Sequence, residues 1–245
     1  MPSLKALYYI SFIILIIFDY TKLIFAEEII VLSATGGPPL NTAKLDGFMD
    51  RVIKEAFKRL DIKLETVKLP AERALLNSNN GIIDGEMGRI AGLNRRYTNL
   101  VQVKEKIMDW EFVVFSNKNI SLNDSWQSLR PYSVAIINGW KILESNVPEV
   151  VELTKVKNPK QLFGMLKLKR ADLIIYEKWA GIYYLKSKKI SDVKLISPPL
   201  IVKPLYIYLH KKHKNLTIKL TKTLKNMKKD GTYLKLKSEI LKKYN

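Results

Sequence analysis

The chain contains no cysteine and only 2 histidines. The first absence excludes disulfides, thiolate metal sites, a cysteine nucleophile and lipid attachment through an N-terminal cysteine. The second leaves little for metal binding. His210 and His213 stand three apart among lysines with no third ligand near, so they read as a surface pair and no metal is expected. Also missing are a glycine-rich phosphate loop and a G-x-S-x-G elbow. No apolar run reaches the roughly 20 residues that a membrane span needs. The longest, Ala6 to Phe18, follows Lys5 and precedes a small residue at Ala26. That is the pattern of a leader cleaved before Glu27, with an uncleaved anchor as the other reading. Acidic residues are scarce, with 23 Asp+Glu against 42 Lys+Arg and a net charge of +19. The lysines scatter along the chain without an aromatic-interleaved stripe. They read as solvated surface, and no nucleic-acid partner is expected. The charge favours anionic envelope surfaces or an acidic partner face.

What is present alternates between strand and helix patterns. Glu28 to Ser33 is a buried-strand run, stopped by Gly36-Gly37-Pro38-Pro39. Gly47 to Leu60 spaces its apolar residues as a helix does, and Ile62 to Leu69 alternates as a strand. Pro70 suits a first helical turn, and Asn79-Asn80-Gly81 ends that helix. Ile82-Ile83 then opens a predicted strand that delivers Asp84, Glu86 and Arg89 beyond its end. This βαβαβ order argues for a parallel sheet with crossover helices.

Further strands are predicted at Trp110 to Phe115, Tyr132 to Ile137, Val151 to Val156 and Ala171 to Tyr176. Helices are predicted from Trp140, over Asn158 to Lys167 and over Trp179 to Ser187. The second half thus repeats the plan of the first. Leu195 to Leu209 carries Pro198-Pro199 and Pro204 and then a returning strand. Two tail helices, Leu216 to Met227 and Tyr233 to Tyr244, are split at Asp230-Gly231.

The order and spacing of Pro70, Arg73, Ala74, Leu75, Gly81, Asp84 and Arg96 resemble the extracellular solute-binding proteins of family 3, which feed amino-acid ABC transporters. The likeness runs from about Glu28 to Tyr244. It implies an α/β, two-lobed type II periplasmic binding fold. Each lobe would be a mostly parallel sheet flanked by helices, joined by a hinge of crossing strands. Lobe one would take residues 27–112 and 203–245, and lobe two residues 113–202. The resemblance implies capture of a small amino-acid-like or carboxylated solute, delivery to a membrane permease, no cofactor, a monomer and a periplasmic location. The same fold also hosts enzymes and sensors. A dehydratase or murein-cleaving relative would need a cleft carboxylate, here Glu86 or Glu111.

An α-carboxylate is best held by a guanidinium. By spacing from Asp84, Arg96 matches the family's carboxylate-binding arginine. Arg89 stands where small polar residues are usual, and Glu86 accompanies it. Asn138-Gly139-Trp140 precedes a helix N-terminus, which favours anions. Trp140 replaces a small hydroxyl residue and either stacks on the ligand or packs the hinge. Glu177 sits where an aspartate usually receives the ligand ammonium. Trp110 is a candidate cleft-lining aromatic. Asp84 and Asp172 read as matching structural residues at strand starts.

Overall fold

The computed structural model describes residues 29–34 and 36–244. The leader expectation, with Lys5, Ala6 to Phe18 and Ala26, lies outside the described residues.

Strand β1 (Ile29–Ser33) is followed by helix α1 (Phe48–Lys58), β2 (Lys63–Val67), α2 (Ala71–Asn79) and β3 (Gly85–Ile90). Strand β1 pairs in parallel with both β2 and β3. Helix α1 turns Phe48, Val52, Ile53, Ala56 and Phe57 into the core, the face that its apolar spacing dictates. The loop before it is gathered by buried Asp50, which accepts from Gly47 N–H, Thr42 N–H and the Asn41 amide.

The predicted strand at Ile82 starts later than expected. Gly81 closes α2 at φ +73°, and Ile82 N–H still bonds Asn77 carbonyl in the same turn. The ladder therefore opens only at Gly85. Glu86 and Arg89 lie within β3 and not beyond it.

After β4 (Leu100–Gln102) and β5 (Met108–Ser116) come β6 (Ser133–Ile137), α3 (Lys141–Glu144), β7 (Glu152–Val156), α4 (Pro159–Lys167), β8 (Leu173–Glu177) and α5 (Lys178–Ser187). Strand β6 pairs in parallel with β7 and β8, repeating the β1 arrangement. The chain returns through β9 (Lys194–His210) to α6 (Lys214–Lys229) and α7 (Thr232–Leu241). Spatial order is β2-β1-β3-β9-β5-β8-β6-β7, with β4 also on β9.

Strand β9 is a single strand of 17 residues where the sequence suggested interruption at its prolines. Its ladder with β5 loses register between Phe112 and Val114, opposite the segment containing Pro198 and Pro199. Proline is tolerated at such an irregularity because no ladder N–H is needed there. Strands β5 and β9 run from one lobe into the other, so the hinge is a pair of antiparallel strands.

Each lobe has its own core. In one, Ile30, Leu32, Val52 and Ile53 pack with Leu220, Leu224 and Ile240 of the tail helices. In the other, apolar residues cover both sheet faces, Phe115 and Phe163 on one and Val114 and Leu143 on the second.

Asp84 and Asp172 do the same job in the two lobes. Asp84 accepts the Val31 N–H at 2.9 Å, and Asp172 accepts the Ser133 N–H at 3.0 Å, each tying a strand entry to its parallel neighbour. His213 differs from the surface-pair expectation. Its Nε2 lies 2.8 Å from Asp84, and the ring is only 17% exposed.

Candidate functional site

The topology fixes where a ligand can sit. Strands β1 and β3 end toward lobe two, and β6 and β8 end toward lobe one. The loops after these strands meet at the interlobal gap, the position open α/β sheets use for ligands. A crevice of about 500 Å³ lies between the lobes beside β5, and none of Arg96, Arg89, Glu86, Gly139, Trp140, Glu177 and Trp110 is among its lining residues. Its floor is β5, with Met108, Asp109 and Glu111. Lys178 and Trp179 line it from α5, and Phe48 and Tyr233 from α1 and α7.

Glu177 ends β8 and caps α5. Its two oxygens accept the Trp179 N–H at 3.1 Å and the Ala180 N–H at 2.7 Å. The side chain is buried at 2% exposure. Burial pushes its pKa up to about 7, over the opposing pull of the two N–H donors. The folded pKa thus lies above the ordinary value of 4.5. Folding takes up a proton between these values, so this group's contribution is full at low pH and is lost as pH rises through about 7. Glu177→Gln is expected to remove that loss. Thermal melts from pH 4 to 8 should show the variant gaining on the wild type as pH rises, and parallel profiles would contradict the assignment.

Trp140 stacks on Tyr176 with centroids 5.1 Å apart and also approaches Trp110 at 5.9 Å and Phe112 at 5.6 Å. Trp110 and Phe112 lie on β5, so these four rings join hinge to lobe two. Both tryptophans keep partial exposure. The helix expected after Gly139 is one turn, Lys141–Glu144. Gly139 adopts φ +81°, and its N–H donates to Glu144 at 3.0 Å. That N–H is therefore occupied within lobe two.

In lobe one, Glu86 is fully buried and holds Ser78 Oγ at 2.9 Å and Arg89 at 2.8 Å. Burial raises its pKa against the pull of Arg89. Arg89 also donates to Ala71 carbonyl at 3.1 Å and is 15% exposed. The two form a brace between β3 and the start of α2. Arg96 is different. It is 76% exposed, pairs with Glu72 at 3.2 Å and lies over the Tyr97 ring at 5.4 Å. Glu72 also accepts the Tyr97 hydroxyl at 2.9 Å.

Glu111 forms an ion pair with Lys178 at 2.9 Å. Glu86 and Glu111 thus have separate partners on separate elements, and no paired-carboxylate arrangement is built from them. Lys178 and Asp109 are not among the residues singled out from the sequence, whereas Trp179 is one of the strand-end aromatics considered for the cleft. The signal was the Glu-Lys-Trp that follows a fully buried strand, where a strand end meets a helix start.

The fold and crevice define a two-lobed periplasmic-type binding protein. A model of the bacterial extracellular solute-binding proteins, family 3, matches residues 29–243, and the chain belongs to that family. An uncharacterized protein of Shewanella oneidensis is 28% identical over 197 residues, 77% of this chain and 74% of the relative. Among solved structures, the substrate-binding protein of an amino-acid ABC transporter aligns with TM-score 0.67 at 22% identity, over 87% of this chain and 99% of that one. The ancestral amino-acid-binding protein AncCDT-1, a precursor of cyclohexadienyl dehydratase, aligns with TM-score 0.69 at 21% identity, over 90% and 98%. At these identities the structural likeness establishes the fold.

Proposed function

We propose that this chain captures a small carboxylated, amino-acid-like solute between its lobes and presents it to an ABC-type permease. The observation that carries the reading is the crevice between two lobes hinged on β5 and β9, in a member of a solute-binding family. Lobe one takes 27–112 and 203–245, lobe two 113–202. The protein acts in the periplasm as a monomer after loss of its leader, without catalysis, cofactor or nucleic acid. A solute shifts the lobes toward closure only by binding the closed form more tightly.

Arg96 receives the solute carboxylate. Its exposure and single carboxylate partner leave it able to exchange Glu72 for a ligand. Arg89 and Glu86 act as the brace behind it. On the other lobe Trp140, Gly139 and Glu177 are assigned to the solute, with Trp110 on β5, although none of the four lines the crevice in this conformation. Glu177 spends its oxygens on the α5 N-terminus, and Glu is longer than Asp, so the ammonium pocket differs from that of a simple amino-acid binder.

A thermal-shift screen of amino acids, polyamines, organic acids and sugars tests this. At a hundredfold excess over Kd, a bound solute stabilises by about 2.7 kcal/mol. That corresponds to roughly 5–11 °C for a chain of this size. A carboxylated compound should give such a shift, and shifts from sugars or polyamines alone would overturn the reading.

A further inference from the structure

Along the sequence the lysines look scattered, but on the folded tail they align. Residues 211–243 hold twelve lysines, no arginine and two acids, Asp230 and Glu239. Both acids are engaged with lobe-one arginines, Asp230 with Arg59 and Glu239 with Arg51. Helix α6, KNLTIKLTKTLKNMKK, has six lysines and no acid. Its apolar face, with Leu216, Leu220, Leu224 and Met227, is buried in the lobe-one core. Lys228 turns inward to Glu105.

The remaining five, Lys214, Lys219, Lys222, Lys225 and Lys229, are exposed. Among the described residues none of these five has an ion-pair partner. At about 100° per residue, Lys214, Lys222, Lys225 and Lys229 fall within one arc of about 80°, along roughly 22 Å of helix. Ile218 lies inside that arc and is 67% exposed. Lys222, Lys225 and Lys229 stand three and four apart, where like charges repel and weaken a helix. Among the described residues no ion pair offsets this.

We propose that the outer face of α6 is a docking surface for an anionic lipid bilayer. The residue type selects the partner. Lysine is a compact, well-hydrated point charge without the planar fork that reads a carboxylate or phosphate in fixed geometry. Protein interfaces favour arginine and are depleted in lysine. An all-lysine stripe suits a diffuse negative plane, where each lysine near the surface adds about fivefold to binding. Ile218 stands where it would enter the headgroup layer. The face is that of a basic amphipathic helix, except that its apolar side is held by the protein core, so attachment is electrostatic and reversible. This docking is independent of which solute the crevice takes.

The test is sedimentation of the full chain with phosphatidylcholine vesicles, with and without about a third phosphatidylglycerol. Binding to neutral vesicles reports attachment that does not depend on lipid charge and is subtracted. The wild type should bind the anionic vesicles in a salt-sensitive way. Changing Lys214, Lys222, Lys225 and Lys229 together to glutamine should lower that binding at least about thirtyfold. Arginine at the same four positions should retain it. Glutamine at exposed Lys157, Lys160, Lys167 and Lys188 of lobe two controls for net charge and should leave it within about threefold. Equal binding to neutral and anionic vesicles overturns the proposal. So does an equal loss in the control set, or loss in the arginine set. Capture by polyglutamate resin without vesicle binding would likewise overturn it, in favour of an acidic protein.

Discussion

Arg96→Ala is expected to weaken binding of a carboxylated solute by about 10–150-fold while leaving the fold intact. A hydrogen bond to a charged group contributes about 1.5–3 kcal/mol, and each 1.4 kcal/mol is tenfold in Kd. The fold should survive because Arg96 is 76% exposed and its partner Glu72 is 60% exposed. Exposed pairs of this kind contribute about 0–1 kcal/mol. Binding and stability are therefore separable at this residue, which is not true of Arg89, clamped between Glu86 and the Ala71 carbonyl. The partner variant sharpens the test. If Glu72 occupies the guanidinium before the solute does, Glu72→Gln should tighten binding a few-fold, since only the solute then competes for the charge. Titration calorimetry of the three proteins checks both directions. Unchanged affinity in Arg96→Ala removes Arg96 from the site.

Gly85→Ala is expected to cost about 3 kcal/mol of stability, or a fall in Tm of roughly 6–12 °C. Gly85 opens β3 between Leu32 of β1 and Leu209 of β9. A Cβ there would sit 2.0 Å from the Tyr208 carbonyl oxygen and 3.0 Å from Leu209 Cα. Both are backbone, and the β9 backbone is held on its other side by β4. The strands must separate or the ladder must break. Gly88 supplies the contrast. Its Cβ would meet the end of the Met49 side chain at 2.3 Å, which a flexible thioether can vacate. Gly88→Ala should cost about 1 kcal/mol. Calorimetric melts that rank the two substitutions the other way would refute this reading of the β3 contacts.

Most of the architecture was legible because it rests on periodicity. Phe48 to Phe57 could bury one face only as a helix, and the runs at Val134 to Ile137 and Leu173 to Tyr176 could be buried only as interior strands. The matching roles of Asp84 and Asp172 followed from their place at strand entries. Three features were not legible, each for a physical reason. The start of β3 depended on how tightly the turn after α2 closed, which the side chains of Ile82 and Ile83 do not set. The continuity of β9 depended on a register shift in its ladder with β5, where the extra β9 residues include Pro198 and Pro199 outside the paired register. His213 was drawn inward by Asp84, 129 residues away in sequence.

The site was less legible than the fold because its charges choose among partners. Glu86, Arg89 and Glu72 are near one another in sequence, and only the packing of α2 against β3 decides that Glu86 takes Arg89 while Glu72 takes Arg96. The crevice residue Lys178 was overlooked because a helix-start position looks like any solvated turn until the opposite lobe faces it. The basic stripe was hidden because lysines spaced three and four apart are scattered in sequence and adjacent on a helix.

The most direct measurement of interlobal capture is small-angle X-ray scattering on the wild type and Arg96→Ala, each titrated with the solute that gives the largest thermal shift. Closure about β5 and β9 should reduce the radius of gyration of the wild type as the solute saturates it, with little change in the variant at the same concentrations. A solute that saturates the wild type and leaves its radius unchanged would contradict the account.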